Sequence, residues 1–376
     1  MARDDLPIAD VLDDVVAAVR DGGVAVVEAP PGAGKTTRVP PALLDAVDGR
    51  VVVLEPRRVA ARAAANRMAS EHGEPLGGLV GLTTGDERQV SRRTRIEVVT
   101  EGVLVRRLQS DPSLPGVGAV VLDEFHERSV DADLALAFGW EARQALRDDL
   151  ALLVMSATLD GARVSSLLDD APVVTSDGRL HAVEVEHRDR DPVAPLAPDV
   201  AAAVEDALDA HDGDVLVFLP GVREIRQVQQ ALSVAPTVDV RPLHGSLPPK
   251  EQDTALRPTP AGRRTVVLAT DLAESSVTVP GVRVVVDAGL SREPRLDPRT
   301  GMTRLVTTRA SRASADQRAG RAGRLAPGVA VRLWSRADHD RRDAHPRPEV
   351  LQTDLAGFLL QVASWGADLD ELRLLD

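Results

Sequence analysis

The stretch EAPPGAGKTT, residues 28–37, decides the fold of this chain. It continues the valine-rich run VAVVEA, and Lys35 within it is the only lysine among the first 249 residues. A strand, a glycine-bearing loop and a Lys-Thr pair at a helix start form an anion site, because backbone N–H groups and the helix dipole face the loop. The stretch therefore predicts a site for a nucleotide phosphate.

Most residues of this loop have a predicted contact. Gly32 and Gly34 let N–H groups turn inward, Lys35 reaches the β- and γ-phosphates, and the Thr36 hydroxyl ligates Mg²⁺. The predicted cofactor contacts are Gly32, Ala33, Gly34, Lys35, Thr36 and Thr37. Ala29 stands where the motif usually has its first glycine, and a chance glycine turn is the alternative interpretation.

Length and composition favour two globular domains. A chain of 376 residues exceeds what one hydrophobic core usually organises. The absence of cysteine excludes disulfides and thiolate metal sites. No apolar run approaches the roughly 20 residues of a bilayer-spanning helix, and the N-terminus is acidic, unlike a signal peptide. We therefore expect a cytoplasmic protein without membrane contact.

The charge distribution is more informative than the net charge of −13. An acidic protein is a poor match for nucleic acid, whose affinity comes mainly from phosphate neutralisation. However, residues 292–324 hold nine arginines against three acids, and residues 56–70 hold four arginines and no acid. Basic strips on an acidic protein fit a polyanion held in one groove, and an arginine-favouring codon bias is the alternative explanation.

Eight short valine-rich runs predict the strands of two α/β domains. They lack polar alternation, which is typical of parallel strands buried on both faces, and helical patterns lie between several of them. The runs are 23–29, 50–56, 119–124, 151–158, 214–220, 264–270, 283–289 and 329–335. Proline-rich residues 172–200 mark a boundary, so we expect domains at 1–172 and 173–340. Residues 351–366 repeat apolar residues at helical spacing within a C-terminal region, 341–376.

The run AVVLDEFHER places two carboxylates directly after a strand, where open α/β sheets present ligands. Asp123 is suited to hold Mg²⁺, and Glu124 is suited to deprotonate the water that attacks a γ-phosphate. His126 is placed to couple this site to another element. An ordinary polar turn is the alternative, but the phosphate loop upstream favours the catalytic interpretation.

The segment SADQRAGRAGR, residues 314–324, predicts guanidinium groups aimed at a phosphate. If it is helical, Gln317, Arg321 and Arg324 share one face. Two glycines would destabilise such a helix by about 1 kcal/mol each relative to alanine, which indicates that something approaches the backbone closely. Arginine-rich filler is the alternative interpretation.

The order of these stretches resembles the DEAH-box (DExH) group of superfamily 2 helicases, most closely its bacterial HrpB-type members. The resemblance covers residues 25–335 or so and rests on nine stretches. They are APPGAGKTT, EPRRVAA, VVTEG, DEFHER, SAT, VFLPGVREI, LHGSLP, ATDLAESSVT and QRAGRAGR. The segment REPRLDPRTGMTRLVTT, residues 292–308, resembles the hairpin that such proteins place where strands separate, although by itself it predicts only a β-hairpin.

The resemblance implies two RecA-like domains, with mainly parallel sheets flanked by helices, and the start of a winged-helix domain after residue 340. It implies that ATP and Mg²⁺ bind between the domains and that a monomer moves 3′-to-5′ on a single strand, RNA rather than DNA. Gln317 would position water, and Arg321 and Arg324 would be arginine fingers. Ser156 and Thr158 would link hydrolysis to movement. The implied nucleic-acid contacts are Arg57, Arg58, Thr100, Thr270 and Thr278.

Several residues depart from the family pattern. Relatives commonly carry arginines where this chain has Thr83 and Gly85, and asparagine where it has Asp271. Pro280 and Leu256 replace residues that contact the ribose and base, so weak discrimination among NTPs is expected. Two alternatives stay open: a nucleotide-switched binding module that does not translocate, and a motor core separated from its C-terminal domains.

Overall fold

The structure is a computed structural model that describes residues 6–157, 161–178, 181–191, 193–275, 277–297, 299–324 and 326–375. These residues form two compact units. The first unit combines the residues up to 178 with those from 348 onward, and the second spans 181–347. The first unit is therefore built from two separate parts of the chain. In the described residues no helix combines the length and the apolar character that a membrane span requires.

The first unit is an eight-stranded sheet flanked by helices. Its strands are β1 (Val24–Glu28), β2 (Arg50–Glu55), β3 (Val80–Thr83), β4 (Arg88–Gln89), β5 (Ile96–Thr100), β6 (Val117–Leu122), β7 (Ala151–Ser156) and β8 (Val173–Thr175). Its helices are α1 (Leu12–Gly22), α2 (Lys35–Ala42), α3 (Arg58–Glu71), α4 (Glu101–Ser110), α5 (Val130–Ala145) and α6 (Gly161–Leu167). The strand order is β4-β3-β5-β2-β6-β7-β1-β8, and every pair except β3–β4 is parallel.

The parallel register places the carboxyl ends of the central strands at one edge of this sheet. Val24 aligns with Leu152, and Leu54 aligns with both Val99 and Leu122. Because β1, β2, β6 and β7 are buried on both faces, their valine runs lack alternation, as predicted. All polar loops that follow these strands therefore meet at a single edge.

The second unit holds a six-stranded parallel sheet with the order β11-β12-β10-β13-β16-β9. Its strands are β9 (Val183–His187), β10 (Asp214–Phe218), β11 (Val238–Leu243), β12 (Arg264–Ala269), β13 (Val282–Asp287) and β16 (Gly328–Arg332). Its helices are α7 (Leu196–Ala210), α8 (Val222–Ala231), α9 (Pro249–Ala255), α10 (Arg312–Gly320) and α11 (Arg336–Asp340). All eight predicted runs are strands, so the predicted fold class of mainly parallel sheets flanked by helices is confirmed.

A two-stranded antiparallel hairpin, β14 (Leu290–Asp297) with β15 (Met302–Arg309), extends from the second unit's chain. Leu290 pairs with Arg309 at its base and Asp297 pairs with Met302 near its tip. Gly301 adopts a φ of 66°, a left-handed conformation that glycine reaches without steric cost. The predicted β-hairpin is thus present, and Gly301 lies in its turn.

The C-terminal part of the chain packs into the core of the first unit. Its helix, α12 (Ala356–Trp365), buries Phe358 and Val362, and Trp365 stacks on Phe138 with ring centroids 4.3 Å apart. The helix starts five residues later than predicted, with Leu355 as its N-cap, and Asp354 before it accepts a hydrogen bond from the Ala356 N–H at 3.0 Å.

The apolar repeat that predicted this helix is only partly buried. Leu351 and Leu359, two of its members, are exposed. Leu351 belongs to a separate 3₁₀ turn, Glu349–Leu351, which lies outside the helix and its periodicity.

A side-chain hydrogen bond from the N-cap of α5 to the carboxyl of Glu101 joins the first turns of α4 and α5. The hydroxyl of Ser129, the N-cap of α5, donates to Glu101 Oε1 at 2.5 Å. Burial, against the opposing effect of the Ser129 hydrogen bond, raises the pKa of Glu101 to about 8. The acidic groups facing it, which add to the increase, are Glu127, Asp131 and Glu349.

Removing the aromatic stack should destabilise the first unit. We expect Trp365→Ala to lower its unfolding free energy by about 2 kcal/mol, less than a fully buried Trp→Ala change, because Trp365 is partly exposed. Urea denaturation followed by circular dichroism measures this. The control Leu360→Ala, at a side chain 72% exposed, should change the value by less than about 0.5 kcal/mol; equal losses in both variants would contradict the prediction.

Glu101 should make stability depend on pH. Its carboxyl holds a proton in the folded chain up to about pH 8 but releases it near its ordinary pKa when unfolded. The folded state therefore binds more protons between these values, and stability falls as pH rises through that window. Glu101→Gln should flatten the fall in urea midpoint between pH 5 and pH 8.5, whereas Asp14→Asn, at an exposed carboxyl, should leave it unchanged. Parallel curves for wild type and Glu101→Gln would show that Glu101 does not cause the fall.

Candidate active site

The phosphate loop lies between β1 and α2 and has the predicted backbone conformation. Gly32 and Gly34 adopt φ values of 90° and 96°. A Cβ on Gly34 would lie 2.8 Å from Leu6 Cδ1, so both conformation and space require glycine there. Ala29, at the place of the motif's first glycine, is buried, and its N–H donates to Ser156 O at the end of β7. The loop is therefore anchored to a neighbouring strand.

Helix α2 and β6 bring the predicted metal ligands and base to this loop. Thr36 Oγ1 donates to Asp123 Oδ2. Lys35 Nζ lies 3.4 Å from Glu124 Oε2 in a pair whose side chains are each 4% exposed. The residues predicted to bind phosphate and metal and to act as base thus form two contacting pairs. Thr36 and Asp123 are 87 residues apart in sequence, and Lys35 and Glu124 are 89 residues apart.

The pKa shifts of these groups follow from burial and from an excess of carboxylates. Burial lowers the pKa of Lys35, but nearby carboxylates raise it more, so the ammonium stays charged. Burial raises the pKa of Asp123 to about 6, with Lys35 opposing the increase. Burial and then the charge of Asp123 raise the pKa of Glu55 well above its ordinary value. Burial therefore disfavours the charged forms of Asp123 and Glu55, and the positive charge of Lys35 compensates only part of this effect.

The donor set fits a hard divalent cation. Mg²⁺ prefers oxygen ligands and commonly takes one or two protein groups together with phosphate oxygens and water. Asp123 and Thr36 offer two such oxygens, and a divalent charge would offset the surplus of carboxylates. Across the part of the chain that the structure describes, no three His, Cys, Asp or Glu side chains form a metal cluster, so phosphate or water would complete the ligand shell.

Glu124 is held in an uncommon backbone conformation. Its φ of 51° and ψ of 34° are left-handed, which costs a non-glycine residue free energy unless its surroundings impose it. Its N–H donates to Asp123 Oδ1 at 2.8 Å, and its C=O accepts from the Glu127 N–H at 2.9 Å. These bonds direct the side chain toward Lys35.

His126 connects the predicted base to the loop after β7. Its Nδ1 lies 3.3 Å from the Ala157 N and 3.5 Å from Glu124 Oε2. A neutral imidazole accepts the Ala157 N–H at Nδ1, and a protonated one pairs with Glu124. His126 is thus placed to couple the base to the segment that begins at Ser156. Thr158, the second predicted coupling residue, lies outside the described residues.

In the second unit the three predicted residues of this segment lie in successive elements. Gln317 is in α10, which ends at Gly320; Arg321 begins the 3₁₀ turn Arg321–Gly323, and Arg324 follows it. The segment is thus helical up to Gly323, although not as one α-helix, because the helix tightens after Gly320. The close approach predicted at the glycines is real but intramolecular: a Cβ on Gly323 would lie 2.6 Å from His181 O.

Both predicted fingers contact the loop that follows β12. Arg321 donates to Glu274 O at 2.8 Å and to Val277 O at 2.9 Å, and it is buried. Arg324 Nη1 donates to Thr278 Oγ1 at 2.7 Å. Arginines and loop form one hydrogen-bonded group within the second unit.

The predicted nucleic-acid contacts of the first unit lie at or after the ends of β2 and β5. Arg57 pairs with Glu127 at 3.1 Å, and Arg58 pairs with Asp86 at 3.1 Å. Thr100 is the last residue of β5. In the second unit, Thr270 accepts the Leu272 N–H, and Thr278 binds Arg324 as described.

The basic strips are partly neutralised or buried. The four arginines of residues 56–70 form ion pairs with acids: Arg57–Glu127, Arg58–Asp86, Arg62–Glu87 and Arg67–Glu71. In the second strip, Arg318 and Arg321 are buried, whereas the hairpin's Arg295 and Arg304 are more than half exposed. The exposed hairpin arginines also lie beside acids, Arg295 at 3.9 Å from Glu293 and Arg304 at 3.6 Å from Asp297, so carboxylates accompany the exposed positive charge of both strips.

Two residues of these units were not predicted. Glu55 ends β2 and is fully buried, with Asp123 as its side-chain neighbour. Arg318 is 1% exposed and pairs with Glu274 at 2.8 Å and Asp287 at 3.0 Å. No local sequence signal identifies Arg318, because its two partners lie 44 and 31 residues away along the chain.

Family models match both units. The DEAD/DEAH box helicase model matches residues 11–167, and the model of the helicase conserved C-terminal domain matches residues 199–326. Both matches lie within the units that carry the phosphate loop and the arginine-bearing helix.

Individual relatives agree with the family models. The ATP-dependent RNA helicase HrpB of Escherichia coli (strain K12) is 46% identical over 99% of this chain and 46% of that protein. The ATP-dependent RNA helicase HrpA of the same organism is 36% identical over 96% of this chain and 28% of that protein. A crystal structure of the Escherichia coli DEAH/RHA helicase HrpB has a TM-score of 0.94, covering 99% of this chain and 48% of that one.

The chain thus spans slightly under half the length of the HrpB proteins that it matches. Both helicase models are matched in the expected order, and the fold agrees with a solved DEAH/RHA helicase at 46% identity. The chain therefore belongs to the DEAD/DEAH box helicase family.

Proposed function

We propose that this chain is the NTP-hydrolysing core of a nucleic-acid helicase or translocase that acts on single-stranded RNA and moves 3′-to-5′. The observation that carries the proposal is the assembly at the phosphate loop. A buried ammonium, a hydroxyl–carboxylate pair and a second carboxylate meet where the helix dipole already favours phosphate. The names of the relatives, both ATP-dependent RNA helicases, support RNA as the polymer.

Each residue of the first unit has one proposed task. Lys35 binds the β- and γ-phosphates, and it exchanges its present pairing with Glu124 for a phosphate oxygen. Released from that pair, Glu124 accepts the proton of the attacking water. Thr36 and Asp123 hold Mg²⁺, which when bound neutralises charge on the phosphate oxygens.

The second unit supplies positive charge for the transition state. Gln317 is proposed to orient water, and the guanidinium groups of Arg321 and Arg324 to stabilise the charge that develops on the transferred phosphoryl group. Because Arg321 now binds Glu274 and Val277 and Arg324 binds Thr278, a change in these hydrogen bonds also changes the loop that follows β12. Thr270 and Thr278, at the ends of that region, are the proposed nucleic-acid contacts.

Nucleic acid is proposed to contact the first unit through Arg57, Arg58 and Thr100. The two arginines would exchange carboxylate partners for phosphates, which links their pairing to the presence of a strand. The exposed hairpin arginines and the apolar Met302 and Leu305 offer positive charge and apolar contact surface at the proposed point of strand separation.

Steady-state hydrolysis tests the proposed function. We expect ATP turnover to rise with single-stranded RNA and to rise less with single-stranded DNA. Glu124→Gln should lower kcat at least about 100-fold while nucleotide binding persists, because it removes a general base but not the phosphate contacts. Glu184→Gln, at an exposed residue of β9, is the matched control and should leave kcat unchanged.

Two results would redirect this interpretation. An ATP turnover rate that changes with neither single-stranded RNA nor single-stranded DNA would favour a nucleotide-switched binding module. Retained turnover in Glu124→Gln would remove Glu124 from the reaction.

Base discrimination should be weak. Leu256 and Pro280 carry no side-chain hydrogen-bond donor, and strong discrimination requires buried polar groups matched to the base or ribose. We expect the KM values for ATP, GTP, CTP and UTP to agree within about tenfold. A KM for ATP about 100-fold below the other three would contradict this.

A further inference from the structure

A short turn at the start of the C-terminal part contacts the segment that follows the proposed base. The chain leaves the second unit at residue 347 and joins the first unit at Pro348. In the 3₁₀ turn Glu349–Leu351, the Glu349 N–H donates to Arg128 O at 3.1 Å. Glu349 Oε2 in turn accepts the Val130 N–H at 3.1 Å. We call these two bonds, between Glu349 and residues 128–130, the latch.

The latch satisfies a backbone donor that α5 cannot satisfy itself. The first N–H groups of a helix have no partner within the helix, and Val130 is the first residue of α5. The N-cap Ser129 accepts from the Ala132 N–H at 3.1 Å, and Glu349 accepts from Val130. The start of α5 is thus capped by two side chains, one of them 219 residues away in sequence.

Residues 124–128 connect the latch to Glu124 through a tightly bonded turn. The Glu127 N–H donates to Glu124 O at 2.9 Å, and the Arg128 N–H donates to Phe125 O at 3.1 Å. Both ends of the turn, Glu124 and Arg128, are left-handed at φ values of 51° and 52°. Such residues keep an unfavourable conformation only when their surroundings impose it, and the latch acts directly on one of them.

We propose that Glu349 is a positioning residue for Glu124. The latch holds the Arg128 carbonyl and the Val130 amide in place. It thereby stabilises the backbone conformation of the turn at residues 124–128, which orients the Glu124 side chain. This inference rests on the proposed function, in which Glu124 is the general base.

Three variants test the latch. Glu349→Ala removes the side-chain acceptor, and we expect kcat for RNA-stimulated ATP hydrolysis to fall about fivefold while KM for ATP stays within twofold. Glu349→Gln keeps an amide oxygen that accepts the Val130 N–H, so its kcat should stay within twofold of wild type. Glu371→Ala, at an exposed carboxylate of the same C-terminal part, is the matched control and should behave like wild type.

Hydrogen exchange gives a readout that does not depend on turnover. In Glu349→Ala the amides of residues 127–130 should exchange faster than in wild type, whereas those of α12 should be unchanged. A folded Glu349→Ala protein with wild-type kcat would overturn the proposal, and so would a Glu349→Gln protein as slow as Glu349→Ala. If wild type itself hydrolyses no NTP, the proposed function fails, while unchanged exchange at residues 127–130 would separately refute the latch.

Discussion

The first unit buries one cation among three carboxylates, and the rest of the site depends on that imbalance. Lys35, Glu55, Asp123 and Glu124 are each at most 4% exposed. Burying unpaired charge is costly, so such a group persists only when the fold gives it no alternative. Here the parallel strands bring these charged groups together, because β2 and β6 end, and α2 begins, at one edge of the sheet. A divalent cation offsets the surplus of negative charge in this group, whereas a neutral ligand would leave it unbalanced.

Much of this arrangement was predictable from sequence, because it follows from strand ends. Parallel strands share one carboxyl edge, so polar residues that follow valine runs are predicted to meet there, as Lys35 and Asp123 do. Contacts that depend on distant packing were not predictable. The pairing of Arg318 with Glu274 spans 44 residues and that of Glu349 with Val130 spans 219, and no periodicity encodes either.

The structure also explains why lysine is rare and where arginine is required. Arg318 binds two carboxylates, a carbonyl and a hydroxyl at once, which a planar guanidinium with five donors can do and an ammonium cannot. Arg321 and Arg342 likewise each bind several carbonyls. At position 35 the need is different, because a compact point charge must reach one group of oxygens beyond a glycine loop. Part of the arginine excess is therefore structural, and it does not measure nucleic-acid affinity.

The division of the first unit between two parts of the chain has a consequence for biosynthesis. The sheet and the aromatic face around Phe138 are synthesised before residues 179–347. Phe358, Val362 and Leu372, which belong to the same core, are synthesised only after them. At usual elongation rates this delay is roughly ten to thirty seconds. During that time the nascent unit presents an uncovered apolar surface to the ribosome exit and to chaperones. Completion of its core is a late, long-range event, even though its own sheet is synthesised first.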